Sequence, residues 1–191
     1  GDLIKYNRTL AQRNQLLKNF AKDNRFDASM LDIYDEQLVE LGQNIHALRV
    51  EFISKLLPVF QKYYNFISKN KEDVQLMYQS HLNENDFKTA LTNAQKKDRI
   101  LQYTSVGIHR DDLMLQIKNY PIKKTGSQGQ QKTYLLALKL AQFDFIKEIN
   151  GFKPILLFDD IFDKLDAERV EQIVRLVSDH HFGQIFITDT S

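Results

Sequence analysis

Two stretches carry residue types that could do chemistry together. Asp159 and Asp160 are adjacent carboxylates directly after Ile155-Leu156-Leu157-Phe158, an apolar run with no polar position. Such a run predicts a central strand covered on both faces. A carboxylate leaving its C-terminal end emerges in the crevice where α/β sheets bind ligands. One aspartate there can hold Mg²⁺ directly or through water. The next points elsewhere and can orient or deprotonate a water. Upstream lies the small polar turn Gly126-Ser127-Gln128-Gly129-Gln130-Gln131-Lys132. Ser127 is a good N-cap, and Gly129 lets a backbone approach a ligand closely. A helix starting there turns unpaired N–H groups and a positive dipole end outward, which suits a phosphate.

The elements that must position these groups follow from periodicity. Tyr134 to Ile149 is an apolar helical run between the turn and the strand, and Leu165-Asp166 follows the aspartates. Ala167 to Ser178 places Val170, Ile173, Val174 and Val177 on one helical face, and Gln184 to Thr188 reads as a final buried strand. Val74, Leu76 and Tyr78 alternate with Gln75, Met77 and Gln79, and Leu113, Leu115 and Ile117 with Met114, Gln116 and Lys118; both predict strands. The second ends in the turn Asn119-Tyr120-Pro121. Between the strands, Glu84 to Lys97 predicts a helix, with Asn83 or Asn85 near its start, and Asp98 to Ser105 a further short one.

The N-terminal third is helical throughout. Leu3, Tyr6, Leu10, Leu17 and Phe20 fall on steps of three and four, with Arg13 where one more apolar residue would sit. Leu31, Tyr34, Leu38, Leu41, Ile45, Leu48 and Phe52 form a heptad seam. Pro58 should kink or end that helix, with Val59 to Phe66 helical again. The first helix is basic and the second acidic, which predicts an antiparallel hairpin over residues 1–70, with an α/β lobe over 71–191. The fold class is therefore α/β, in the mixed α+β sense. A solvated zipper between helices explains the basic face without any DNA contact.

Gly126-x-x-x-x-Gln131-Lys132-Thr133 is one residue away from a phosphate-binding P-loop, G-x-x-x-x-G-K-[ST]. The missing glycine is the one before the lysine, where the loop must bend around phosphate. A P-loop also needs a buried strand in front, and Asn119 to Lys124 is turn-like and charged. A kinase built on Lys132 is thus the weakest of the functional readings.

The composition narrows the field. The chain has 191 residues, 42% hydrophobic and 27% charged, which suits a globular protein of one or two domains. No cysteine is present, so disulfides and thiolate metal sites are excluded. No apolar run reaches the roughly twenty residues of a membrane span, and Lys5, Arg8 and Arg13 interrupt any signal-peptide core. A cytoplasmic location without membrane contact is expected. The net charge of +1 makes no case for nucleic-acid binding. His180-His181 cannot jointly face one metal in a helix and read as helix-end residues; no other histidine group has ligand spacing.

The order of polar turn, helix and strand-Asp-Asp resembles the second half of an ABC-type ATPase head. Ser127-Gln128-Gly129-Gln130 sits like the signature motif, Ile155 to Asp160 like the Walker B strand with its catalytic acid, and Leu165-Asp166 like the D-loop. With Gly107-Ile108-His109-Arg110-Asp111-Asp112 upstream, the chain is most similar to the RecF family of recombination-repair ATPases. The family usually has Gly-Pro-His-Arg-Asp-Asp there, so Ile108 departs from the pattern. That segment reads either as a loop near the nucleotide interface, with Arg110 available for phosphate or for Asp111, or as a local ion-paired turn. Asp189 stands where most ABC heads have a histidine, which the RecF-like proteins also lack.

The resemblance implies a C-terminal portion whose P-loop lies upstream, so the chain alone should not hydrolyse ATP. It implies an ATP-dependent homodimer that binds gapped or double-stranded DNA and works with recombination mediator proteins in loading a recombinase. In that scheme Ser127, Gln128, Gly129, Gln130 and Asp166 serve ATP held by the partner subunit, Asp159 serves Mg²⁺, and Asp160 is the catalytic acid. The rival from another class is a non-catalytic structural head that works through its helical arm.

Overall fold

The computed structural model describes residues 1–84, 86–178 and 181–188. Asn85, His180 and Asp189, named above, lie outside the described residues. The elements are α1 (Asp2–Asp23), α2 (Ser29–Ser68), β1 (Val74–Gln79), α3 (Phe87–Leu101), β2 (Asp112–Ile117), β3 (Tyr120–Pro121), α4 (Ile122–Thr125), α5 (Gln128–Asn150), β4 (Leu156–Phe158), α6 (Ala167–Val177) and β5 (Ile185–Ile187). Short 3₁₀ turns occupy His81–Asn83 and Ile108–Arg110. Asp98 to Leu101 continues α3 instead of starting a new helix. None of the described helices is long and apolar enough to cross a membrane.

The chain forms two compact units. One is Gly1–Ile53 with Tyr78–Leu113; the other is Ser54–Met77 with Met114–Ser191. Each unit therefore takes residues from both sides of position 70. The cause is α2, which runs unbroken through Pro58 because its buried stripe, Ile53, Leu56, Phe60, Tyr64 and Ile67, continues past the proline.

In the first unit α1 and α2 run antiparallel. Thr9 Oγ1 donates to Gln37 Oε1 at 3.1 Å, Arg13 Nε donates to Asp35 Oδ1 at 2.5 Å, and Leu17 and Phe20 pack on Leu31. The core gathers Tyr6, Leu38, Ile45, Phe87, Leu91 and Ile108. The strict heptad does not hold along α2: Leu48 is 65% and Phe52 45% exposed, and the buried stripe moves to Ile53. A straight helix at 3.6 residues per turn drifts about 20° per heptad away from a 3.5-residue seam. Gly42 lies on that stripe because a Cβ there would stand 2.6 Å from the Phe87 ring.

Arg13, which interrupts the apolar face of α1 in sequence, has a side chain that is 0% exposed. Besides Asp35 it donates from Nη1 to Asp98 Oδ2 at 2.8 Å and to Thr104 Oγ1 at 2.9 Å. Asp98 Oδ1 accepts from Ser105 N at 2.8 Å, and Thr104 N donates to Asn14 Oδ1 at 2.7 Å. The cation thus ties α1, α2, α3 and the loop after α3 together.

In the second unit, Phe60 and Tyr64 of α2 pack on Tyr134 of α5, with ring centroids 4.6 and 5.7 Å away. The Tyr134 hydroxyl donates to Gln75 O of β1 at 2.8 Å. The strand order is β1-β2-β3 in one sheet and β4-β5 in another. β2 and β3 pair antiparallel across Lys118-Asn119, both at positive φ (49° and 66°), the geometry of a tight hairpin. β4 and β5 pair parallel, Leu156 with Ile185 and Phe158 with Ile187. β4 is not covered on both faces as its composition predicts. Phe158 is buried while Leu157 is 74% exposed, because successive side chains of a strand point to opposite faces. β5 is likewise open, with Phe186 and Ile187 exposed.

Candidate functional site

The polar turn forms the start of α5. Ser127 is the N-cap: its Oγ accepts from Gln130 N at 3.2 Å, while Gln130 Oε1 accepts from Ser127 N at 2.8 Å. This reciprocal pair is a capping box. It fixes where α5 begins and, with Gln131 N bonded to Ser127 O, leaves the N–H groups of Gln128 and Gly129 at the helix end beside the exposed Ser127 hydroxyl. α4, not a strand, precedes the turn, and Gly126 N closes it onto Ile122 O at 2.8 Å. The P-loop-like spelling therefore lacks its structural context.

The reason for Gly129 differs from the expected one. Its φ is not positive; the constraint is that a Cβ would stand 2.9 Å from Lys164 O. What approaches Gly129 closely is the chain's own backbone, in the loop between β4 and α6. Lys132, one turn further along α5, reaches that loop too. Its Nζ donates to the carbonyl oxygens of Asp160 and, at 2.9 Å, of Asp163. Ser127, Gln128, Gly129 and Gln130 are thus brought against the segment that carries Asp159, Asp160 and Asp166.

Asp159 follows β4 directly and its Oδ1 accepts from the Thr188 hydroxyl at the end of β5. Asp160 adopts a left-handed backbone, φ 48°, a region that aspartate tolerates better than most residues. Both aspartates are exposed. Asp166 caps α6: its Oδ1 accepts from Arg169 N at 2.9 Å and its Oδ2 from Arg169 Nε at 3.0 Å. The hydrogen bond from the Arg169 N–H, aided by the guanidinium, holds the Asp166 carboxyl below the usual carboxylate range. Among the described residues no group of three or more histidine and carboxylate side chains could hold a metal ion.

A second layer links these parts, and it was not singled out from the sequence. Arg169, mostly buried, also donates from Nη1 to Thr133 Oγ1 at 2.9 Å and from Nη2 to Glu72 Oε1 at 2.6 Å. The same Glu72 oxygen accepts from Gln130 Nε2 at 2.9 Å, and its Oε2 accepts from the Tyr64 hydroxyl at 2.5 Å. Burial opposes the charge on Glu72, but the donors Tyr64, Arg169 and Gln130 outweigh it, and its carboxyl lies below the usual range. Glu72 hides in the charged run Lys69 to Asp73 and Arg169 in the first turn of an ordinary amphipathic helix. The one available signal was the i, i+3 spacing of Asp166 and Arg169.

Gly107 to Asp112 belongs to the first unit. Asp111 pairs with Arg49, at 2.6 Å, and accepts from the Tyr78 hydroxyl. Arg110 does not pair with it; its guanidinium lies 5.1 Å from the centre of the Tyr103 ring. His109 Nε2 is 3.0 Å from Thr104 O, which can only accept, so Nε2 carries the proton and Nδ1 accepts from the Tyr6 hydroxyl at 3.1 Å. Burial lowers the His109 pKa. Gly107, at φ 124°, is required because a Cβ would stand 2.6 Å from the Tyr6 hydroxyl. The ion pair of this turn is therefore not a local one: it joins Asp111 to Arg49 of α2.

No protein-family model matches the chain. Among curated proteins, the DNA replication and repair protein RecF of Flavobacterium johnsoniae is 54% identical over 188 residues, 98% of this chain. The protein of the same name from Phocaeicola vulgatus is 49% identical over 190 residues. The chain spans about half the length of these relatives, 52% and 50%. Two solved structures of the recombination mediator protein RecF, one described as RecF-ATP and one as RecF-ATPrS, superpose with TM-scores of 0.81 and 0.80 at 32% identity. Each covers 100% of this chain, which spans 52% and 53% of theirs. With its mixed α/β architecture and a match that takes in nearly all of this chain and about half of each relative, the chain belongs to the RecF family and corresponds to the carboxy-terminal portion of its members.

Proposed function

We propose that this segment is the signature and Walker B part of a RecF-type ATPase head, acting in DNA repair as an ATP-dependent homodimer. The observation that carries this reading is the packing of Gly129 on Lys164 O together with the reach of Lys132 to the Asp160 and Asp163 carbonyls. It gathers the turn, the aspartate pair and the Asp166 cap, far apart in sequence, on one stretch of surface. The exposed Ser127 hydroxyl and the first N–H groups of α5 suit the terminal phosphates of ATP held by a partner subunit. Asp159 offers an oxygen of the kind Mg²⁺ takes when most of its remaining ligands are waters and phosphates. Bound Mg²⁺ would neutralise developing charge on the phosphates. Asp160, exposed beside Asp159 on a left-handed backbone, holds and deprotonates a water. In the whole protein, dimerisation would be coupled to gapped or double-stranded DNA and to recombination mediator proteins that help load a recombinase.

The test uses a protein that joins this segment to the half its relatives carry in addition. Ser127→Arg should leave Mg·ATP affinity of the monomer intact and abolish the ATP-dependent dimer in sedimentation. Loss of monomer binding with dimerisation intact would reverse the assignment.

A further inference from the structure

We infer that Glu72 and Arg169 are positioning residues that hold the signature turn and the Asp166 loop as one face, so that nucleotide contact by either is coupled to the other. This rests on the function proposed above. Arg169 spends its guanidinium on three partners: Asp166 in the loop, Thr133 on the second turn of α5, and Glu72. Thr133 Oγ1 in turn donates to Gly129 O at 2.8 Å, so the chain of bonds reaches the backbone of the signature turn itself. Glu72 closes the ring through Gln130 Nε2, and Tyr64 anchors it to α2.

Gln130 is the informative member. Its amide oxygen accepts from Ser127 N and its amide nitrogen donates to Glu72, so both ends of the side chain are committed inside the protein. The Gln130 side chain therefore acts on Ser127 and on the Glu72 ring. The groups left to meet a phosphate are the Ser127 hydroxyl and the helix-end N–H groups. A partly buried ion pair of this kind fixes geometry more than it adds stability. The Arg169–Glu72 pair, each side chain little more than a tenth exposed, sits where it can fix the spacing between the two motifs. Thr133 and Gly129 then transmit a shift of α6 to the turn through bonds of 2.8–2.9 Å.

The experiment compares Glu72→Gln, Arg169→Gln, Arg169→Lys and Tyr64→Phe in the protein extended as above, with Ser127→Arg as the reference. Each is measured for monomer Mg·ATP affinity and for the ATP-dependent dimer. Glu72→Gln and Arg169→Gln should leave monomer affinity unchanged and weaken the dimer by roughly tenfold to a hundredfold, the worth of a hydrogen bond to a charged group. Arg169→Lys, which keeps the charge and part of the reach, should recover part of that loss. Should Arg169→Gln not fold, Glu72→Gln and Tyr64→Phe carry the test, because they change single atoms or remove one hydroxyl. In the chain itself, Glu72→Gln should also speed hydrogen exchange at the Gln130 and Arg169 amides while α1 and α3 stay protected. Parental dimerisation by Glu72→Gln and Tyr64→Phe, with Ser127→Arg inactive, would overturn the inference alone. A Ser127→Arg protein that still dimerises would overturn the underlying reading and this one with it.

Discussion

Replacing Arg13 by methionine should unfold much of the first unit near neutral pH and much less of it in acid. The side chain is wholly buried and bonded to Asp35, Asp98 and Thr104. Methionine fills a good part of the volume, so the cost is electrostatic: two carboxylates stay behind, Asp98 at 0% and Asp35 at 8% exposure. Breaking a buried ion pair by removing one partner costs about 3–5 kcal/mol, a large share of the roughly 5–15 kcal/mol of a whole domain. Burial already raises the Asp35 pKa even with the Arg13 hydrogen bond opposing it. Without Arg13 the folded-state pKa of Asp35 should stand further above the unfolded value of 3.8. A group raised in this way stabilises fully below its unfolded pKa and loses that stability as pH climbs through its folded pKa. The gap between Arg13→Met and the parent should therefore narrow steadily from about pH 7 toward about pH 4. Guanidinium titrations read by far-UV circular dichroism and by tyrosine fluorescence suit a chain with no tryptophan and eight tyrosines. Adding Asp35→Leu and Asp98→Leu to the variant should recover most of the loss. A deficit below about 1 kcal/mol, the scale of an ordinary surface change, or a gap that does not move with pH, would refute the reasoning.

Other outcomes follow from single contacts. His109 has a lowered folded pKa, so its contribution is complete above the unfolded value of 6.5 and falls away as pH drops through the folded pKa; His109→Gln should flatten that part of the pH–stability profile measured by thermal melts. Gly107→Ala must fit a Cβ against Tyr6 and Phe87 at φ 124° and should cost about 2 kcal/mol or more. Gly151→Ala meets open space at φ 71° and should cost about 1 kcal/mol; similar losses in the two would count against the packing argument. In the extended protein, Asp159→Asn should weaken Mg²⁺-dependent nucleotide binding. Asp160→Asn should bind normally and hydrolyse about 10²–10⁴-fold more slowly in single turnover; parental hydrolysis by that variant would remove Asp160 from the catalytic role.

What the amino-acid sequence determined by itself was everything written in short-range pattern. The Ser127 cap, the α5 and α6 runs, the strands at Val74, Asp112 and Leu156, and the aspartates after β4 were legible because helix period, strand alternation and capping chemistry are local. The antiparallel run of α1 and α2 was legible from opposite charge and matched apolar faces. Tertiary structure decided what local pattern leaves open. Arg13 reads as a flaw in an apolar face until Asp98 and Thr104, far along the chain, arrive to accept hydrogen bonds from its Nη1. The heptad of α2 lost Leu48 and Phe52 because a long straight helix cannot keep a 3.5-residue seam in one direction, and Pro58 was carried through because packing on both sides outweighed a missing N–H. Gly129 looked like room for a ligand, but its hydrogen faces Lys164 O. Glu72 and the long-range bonds of Arg169 were hidden for the same reason: residues that hold two distant motifs together have most of their partners only in space, and the i, i+3 step from Asp166 to Arg169 records just one of them.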